Sequence, residues 1–375
     1  MIVHLFEDQK FVDSTIINFE SASIGLNRYI IFSNTQKLKY VSKKEHVVVL
    51  PNSNYKLDLD LIFKDCQLLV IHFLTPIKLY IIKNKPHHVK VLWSVWGADA
   101  YDHFTKQDFF EPLTLDIQKK SFHKLLRFSN LYSLYHLLRY RVKPLSKEFK
   151  LLREIDFIST VLPYEYDCIL KEFNLTAKYI DYNYSVNKFN SVCPISLGNS
   201  ILIGNSATLS NNHLDVFDII KNTNSEVIVP LSYGAYGFQD YKKLIICKGK
   251  SLFKQNFHAI ESFLPIQDYD KILMSCNTMI MYHIRQQALG NIYMALYLGI
   301  RVYLNKKSIT YKYMNDIGMI IFELEKDFDL VGIELTKNQK DINKKLVFKL
   351  QGEEAIIRKI KSIVELHDSF INLTN

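Results

Sequence analysis

Five short apolar runs recur through the first hundred residues, and their spacing constrains the fold more than any other feature of the chain. Ile2-Val3-His4-Leu5-Phe6, Tyr29-Ile30-Ile31-Phe32, Val47-Val48-Val49-Leu50, Leu68-Leu69-Val70-Ile71-His72 and Val89-Lys90-Val91-Leu92-Trp93 are of strand length. They lie about 20 to 25 residues apart, which leaves room for a helix between neighbours. Continuous apolar strands at this spacing are what a parallel sheet covered on both faces requires. The pieces at 57–64 and 76–83 can supply two of the covering helices.

The rhythm returns in the second half. Strands are expected at 200–203, 226–231, 278–281 and 301–304, and helices at 213–221, 267–276 and 290–298. Pro265 and Asp268 are start signals for the second of these helices, and Gly299 stops the third. With 375 residues, 48% of them apolar, the chain can bury two cores. The expected organisation is two Rossmann-like α/β domains, 1–190 and 191–350, followed by a C-terminal helix at 351–375 that can pack back on the first domain.

Several classes are disfavoured. The longest apolar run, Leu68 to Leu74, is far short of the roughly 18 to 20 residues of a membrane span. The N-terminus shows no secretory signal. Five scattered cysteines without a CxxC argue against a disulfide framework and a structural zinc site, and fit a cytoplasmic protein. The formal charge of +9 is concentrated in one place: between Lys119 and Arg153 ten Lys or Arg, including Lys119, Lys120, Lys124 and Arg127, face the single acid Glu148. Leucines and aromatics interleave with these charges. Such a stretch suits the headgroup layer of an anionic membrane, and it equally suits a solvated basic helix face. No nucleic-acid-binding motif accompanies it, so no nucleic acid partner is expected.

Three clusters sit where predicted strands end, the edge at which open α/β sheets place ligands. In WSVWGADAY, at 93–101, the only two tryptophans bracket a turn with Gly97 and Asp99. A carboxylate there can act as a base or bind a sugar hydroxyl, or it can cap the next helix. In LGNSILIGNSATLSNNH, at 197–213, a strand feeds a Gly-led turn, a polar loop and a helix beginning near Ser210, an arrangement that suits phosphate or diphosphate as well as plain N-capping. In HIRQQALGN, at 283–291, Arg285, Gln286 and Gln287 precede a helix opening at Gly290-Asn291, and a guanidinium beside two amides and a helix N-terminus can bind diphosphate and sugar hydroxyls. The DxD pairs Asp58/Asp60 and Asp268/Asp270 read as surface residues, and His72 and His283 as core or cleft histidines without metal-ligand spacing. GxSxG, Walker A and GxGxxG are absent from the sequence.

Together, WGAD (96–99), GNSATLSNNH (204–213), VIVPLSYG (227–234) and RQQALGN (285–291) resemble the TDP-N-acetylfucosamine:lipid II N-acetylfucosaminyltransferase family, the 4-acetamido-4,6-dideoxygalactose transferases. The resemblance implies a GT-B glycosyltransferase, two Rossmann-like domains facing across a cleft, with a nucleotide-sugar donor and a polyprenyl-diphosphate-linked saccharide acceptor. It implies donor binding by Gly204, Asn205, Ser206, Ser210, Asn211, His213, Tyr233, Gly234, Arg285, Gln286, Gln287, Gly290 and Asn291. Arg285 and the adjacent helix would stabilise the leaving nucleoside diphosphate, so neither metal nor cofactor is expected. Trp96, Gly97 and Asp99 would meet the acceptor, with Asp99 as first candidate base and Asp8 as second. The basic stretch would dock the enzyme on the inner face of the plasma membrane. A GT-B-fold nucleotide-sugar epimerase and a non-catalytic nucleotide-sugar or nucleic-acid binding protein remain as alternatives.

Overall fold

The computed structural model describes residues 1–42, 47–52, 57–106, 108–119, 133–135, 137–138, 148–182, 189, 198–234 and 239–372. The chain divides into two compact units. One comprises Met1–Lys106, Lys124–Val186 and Glu353–Asn375, and the other Gln107–His123 and Asn187–Gly352.

The N-terminal unit is built on a parallel sheet of β1 (Ile2–Glu7), β2 (Asn27–Phe32), β3 (Val47–Leu50), β4 (Leu68–His72), β5 (Lys90–Ser94), β6 (Phe157–Ser159) and β7 (Lys178–Tyr179), in the order β3-β2-β1-β4-β5-β6-β7. The five apolar runs form its first five strands, and β1 and β4 are buried along almost their whole length because helices cover both faces. The helix Glu353–Asn372 belongs to this unit. Its Ile356, Ile360 and Ile363 recur at helical spacing and enter the same core as Phe6, Phe19 and Tyr29.

The C-terminal unit holds β8 (Ser200–Ile203), β9 (Val227–Pro230), β10 (Phe257–Ile260), β11 (Cys276–Met281), β12 (Arg301–Leu304) and β13 (Phe322–Glu323), also parallel, in the order β10-β9-β8-β11-β12-β13. Two boundaries differ from the pattern reading. Cys276 opens β11 instead of closing a helix, which spans Ile266–Met274. The helix expected near Ser210 begins at His213, after a 3-10 turn at Leu209–Asn211 and a left-handed Asn212 (φ 51°). β6, β7 and β13 span only two or three residues each, and β10 only four with a histidine among them, so they do not stand out by pattern.

One piece of the first half is built into this second unit. The helix Pro112–Lys119 starts with a proline, whose missing N–H is no loss there. The next two N–H groups are satisfied from a distance. Asp215 accepts from Leu113 N at 2.8 Å and from Thr114 N at 3.2 Å, and it also accepts the Thr114 hydroxyl at 2.7 Å.

In both sheets the strand order reverses once, between β1 and β4 and between β8 and β11. Connections leave these neighbours in opposite directions, opening a crevice beyond their carboxyl ends, and that edge is where ligands of such folds bind.

Candidate functional site

At the reversal point of the C-terminal sheet, loops following β8, β9 and β11 interlock. β8 ends at Ile203, and Gly204 turns the chain at φ +67°. A Cβ on Gly204 would lie 2.6 Å from Asn211 Oδ1 and 2.9 Å from His213 Nε2, so both the dihedral and the space demand glycine. Asn211, fully buried, staples the loop. Its Nδ2 donates to Ser206 O at 2.9 Å and Thr208 O at 3.1 Å, while its Oδ1 accepts Asn205 N at 3.0 Å and lies 2.8 Å from His283 Nε2.

Gln287, from the loop after β11, ties the pieces together. Its Oε1 accepts Ser210 Oγ at 2.6 Å, and its Nε2 donates to Asn205 Oδ1 at 2.8 Å and Thr208 Oγ1 at 3.2 Å. Asn205 Nδ2 passes the chain on to the Tyr233 hydroxyl at 2.8 Å, and Ala207 N donates to Tyr233 O at 2.7 Å. Gly234 (φ +89°) lies against Thr208 so closely that a Cβ would sit 2.6 Å from its methyl carbon. Asn291 Nδ2 donates to Tyr269 OH at 3.1 Å. Gln286 is buried, Arg285 half-buried and Gly290 exposed. The helix they introduce spans Leu289–Leu298, entered through a left-handed Ala288 (φ 57°).

The charge at this edge is simple. Burial holds His213 down at about 3 and His283 well below the usual histidine range, with the Arg285 guanidinium adding to the second shift. Both imidazoles are therefore neutral near pH 7, and Arg285 with the helix N-terminus supplies positive potential. Among the described residues this edge combines hydroxyls and amides with the Arg285 guanidinium, groups of a kind that can bind anionic oxygens and hydroxyls.

Asn212, part of the 204–213 motif, and Glu111, which does not emerge from motif reading, brace this loop. Asn212 Nδ2 donates to Tyr282 O at 3.0 Å and its Oδ1 accepts Glu111 N at 2.9 Å. The buried Glu111 carboxylate accepts Asn305 Nδ2 at 2.7 Å and pairs with Lys307 Nζ at 2.9 Å. Its partners lie 194 and 196 residues away, so no local signal could have found the link.

The reversal point of the N-terminal sheet is furnished differently. Gly97 (φ +105°) begins the short helix Ala98–Tyr101, and Asp99 reaches back beneath the turn. Its Oδ2 accepts Leu74 N at 3.0 Å and Trp93 Nε1 at 2.9 Å, and its Oδ1 accepts Trp96 N at 2.9 Å. Burial raises the Asp99 pKa while these bonds oppose the shift. With three donors and 2% exposure, Asp99 braces the turn that carries Trp96. Asp8 spends Oδ2 on Lys39 N at 2.6 Å and Oδ1 on Tyr40 N at 2.9 Å. Beside them Glu7, ending β1, accepts Thr75 Oγ1 at 3.0 Å and Lys78 Nζ at 2.7 Å.

Of the basic stretch, Lys119 is exposed at the end of its helix, whereas Lys120, Lys124 and Arg127 lie outside the described residues. Further along it Leu134, Tyr135, Leu137 and Leu138 are exposed. Among the described residues no helix is long and apolar enough to cross a membrane. Asp58 caps the helix Leu59–Phe63 and Asp268 pairs with Lys271, so the DxD matches are surface features.

Solved structures share this architecture across nearly the whole chain. A glycosyltransferase from Rickettsia africae superposes with a TM-score of 0.64 at 13% identity, covering 99% of this chain and 98% of its own. Anabaena Alr3699/HepE, solved with UDP and glucose, gives 0.65 at 12% identity, covering 97% and 100%. Sucrose-phosphate synthase from Thermosynechococcus elongatus gives 0.67 at 7%, covering 98% and 99%. Two parallel α/β units with this likeness define a GT-B fold. The profile of the 4-alpha-L-fucosyltransferase family, glycosyl transferase group 56, matches residues 126–348, more than half of the sequence. The chain belongs to that family, and the protein is a glycosyltransferase.

Proposed function

We propose that the protein transfers a deoxy-amino sugar, N-acetylfucosamine by its family resemblance, from a TDP-sugar to a polyprenyl-diphosphate-linked saccharide at the inner face of the plasma membrane. The observation that carries the donor reading is the Ser210-Gln287-Asn205-Tyr233 chain of hydrogen bonds. It draws three loops together beside Arg285 and the N-terminus of the helix Leu289–Leu298. Diphosphate oxygens fit that edge, and hydroxyl-bearing sugar fits the amides. UDP in the Anabaena relative, which shares the fold, is a ligand of the same chemical class.

In transfer, an acceptor hydroxyl oxygen forms a bond to the anomeric carbon as the bond from that carbon to the β-phosphate oxygen breaks. The electron pair departs with the nucleoside diphosphate, and the hydroxyl proton is released. Charge grows on the leaving phosphate, where Arg285 and the helix dipole stabilise it without reorganising. This chain's residues thereby fill the role of a bridging cation, and the proposal requires no metal.

The membrane part of the reading rests on the clustered basic sequence and the exposed Leu134, Tyr135, Leu137 and Leu138 within it. Incubation with a panel of TDP- and UDP-sugars tests the donor. A TDP-sugar should raise the melting temperature and be consumed when a lipid-linked saccharide is added, while indifference to every nucleotide sugar would sink the proposal.

A further inference from the structure

Lys78 is fully buried on the helix Pro76–Lys83, yet nothing in the donor chemistry uses it. Its ammonium places one proton on Glu7 at 2.7 Å and the other two on the carbonyls of His72 and Phe73, at 2.5 and 2.9 Å. Phe73 adopts a left-handed backbone (φ 62°) immediately after β4, at the turn where this carbonyl is bonded. A buried ammonium is costly unless paired and fully bonded, so the sequence retains an expensive device to hold one carboxylate in place.

Glu7 is a carboxylate at this edge with acceptor capacity to spare and a buried ammonium to orient it. Asp99 is sealed beneath its turn, and Asp8, which also takes one bond on each oxygen, is tied to the backbone N–H groups of Lys39 and Tyr40 with no cation among those partners. Each Glu7 oxygen takes one hydrogen bond, from Thr75 or Lys78, although a carboxylate accepts about four. Its side chain is 19% exposed. The paired charges of Glu7 and Lys78 cancel, which disfavours a metal ion and leaves neutral hydroxyl donors as the natural ligands. Aromatic surface stands at the same edge. The Trp96 ring packs edge-on to Phe11 at 4.9 Å and lies 6.1 Å from Phe73.

We propose that Glu7 is the hydroxyl-accepting carboxylate of a saccharide subsite on the N-terminal unit, oriented by Lys78 and Thr75, with Trp96 as its aromatic wall. The proposal rests on the glycosyltransferase reading and names where that enzyme holds its second sugar. Glu7 binds, and Lys78 acts through it as a positioning residue.

The full chain is titrated with a panel of methyl hexosides and methyl N-acetylhexosaminides by saturation-transfer NMR, with the melting shift induced by TDP or UDP recorded in parallel. Glu7→Gln alone would orphan a buried ammonium, so the decisive variant is Glu7→Gln combined with Lys78→Met, which removes both charges at similar volume. At least one glycoside should show transfer with the unaltered chain. The double variant should reduce it by about tenfold, and Trp96→Leu by about fivefold, while the nucleotide shift persists. Transfer unchanged in both variants overturns the proposal, as does absence of transfer with every glycoside when the nucleotide shift is intact. Glu7-dependent glycoside binding without any nucleotide shift would support the subsite and sink the donor reading instead.

Discussion

The two sheets share a strand order and a ligand-binding edge, but they furnish that edge in opposite ways. Beyond β1 and β4 stand carboxylates and a buried ammonium, with Glu7 and Lys78 in mutual contact and Asp99 enclosed. Beyond β8 and β11 the groups are mainly neutral amides and hydroxyls, from Asn205, Ser210 and Gln287, beside the guanidinium of Arg285. The first edge, with the charges of Glu7 and Lys78 paired, suits hydroxyl donors, and the second, with its guanidinium, suits anions. One topology thus offers two chemically distinct binding edges, and the difference lies in a few side chains at strand ends.

What the two units have in common is a pair of buried histidines, and this gives the largest expected effect. His4 Nδ1 lies 3.1 Å from His72 Nε2 in the first unit, and His283 Nε2 meets Asn211 in the second, near His213. Burial holds His4 and His213 at about 3 and depresses His72 and His283 well below 6.5. The unfolded chain therefore takes up these protons first as pH falls. Stability is fully present above pH 6.5 and is lost between there and about pH 3, at roughly 1.4 kcal/mol per pH unit for each proton. The urea midpoint should drop steeply from pH 7 to 5, and an unchanged midpoint would contradict the shared histidine feature.

Arg285→Ala addresses the difference itself. Removing the guanidinium from the second edge should lower kcat by about 10²- to 10³-fold, as for one lost donor to a developing anion, with the fold intact by circular dichroism. Near-normal turnover would show that the anion is stabilised elsewhere. Gly204→Ala should cost about 1 to 3 kcal/mol in urea unfolding, because Ala disfavours φ +67° and its methyl would press on Asn211 and His213. A smaller loss would mean that the loop relaxes without difficulty. Addition of a chelator is the smallest perturbation: transfer should continue unchanged, and abolished transfer restored by a divalent cation would replace Arg285 as the main counter-charge.

Much of the scaffold could be read from local pattern. Runs such as Leu68 to His72 form strands because a doubly covered parallel strand is apolar on both faces, and Gly299 ends its helix in a left-handed cap (φ +79°). The loops after β8 and β11 were legible as structure for the same reason, since strand, polar loop and helix are contiguous in sequence. Asp99 shows where such reading stops. Its residue type and position marked it as a reactive carboxylate, but its spare capacity depends on Leu74, which is 25 residues away, and on the indole of Trp93. Lys78 was hidden in the apolar segment PIKLYIIK, where a lysine looks like a solvated exception.

The sequence by itself determined the two α/β halves, the edges that could bind ligands and the family to which the chain is similar. These follow from hydrophobic periodicity and from backbone preferences, which act over a few residues. Only the tertiary structure decided which polar groups at those edges are occupied and which retain capacity for a ligand. Hydrogen-bond satisfaction is a property of all neighbours at once: Asp99 is filled by donors from three places along the chain, Glu111 by residues nearly two hundred positions away, and Glu7 takes one bond on each oxygen, from Thr75 and Lys78.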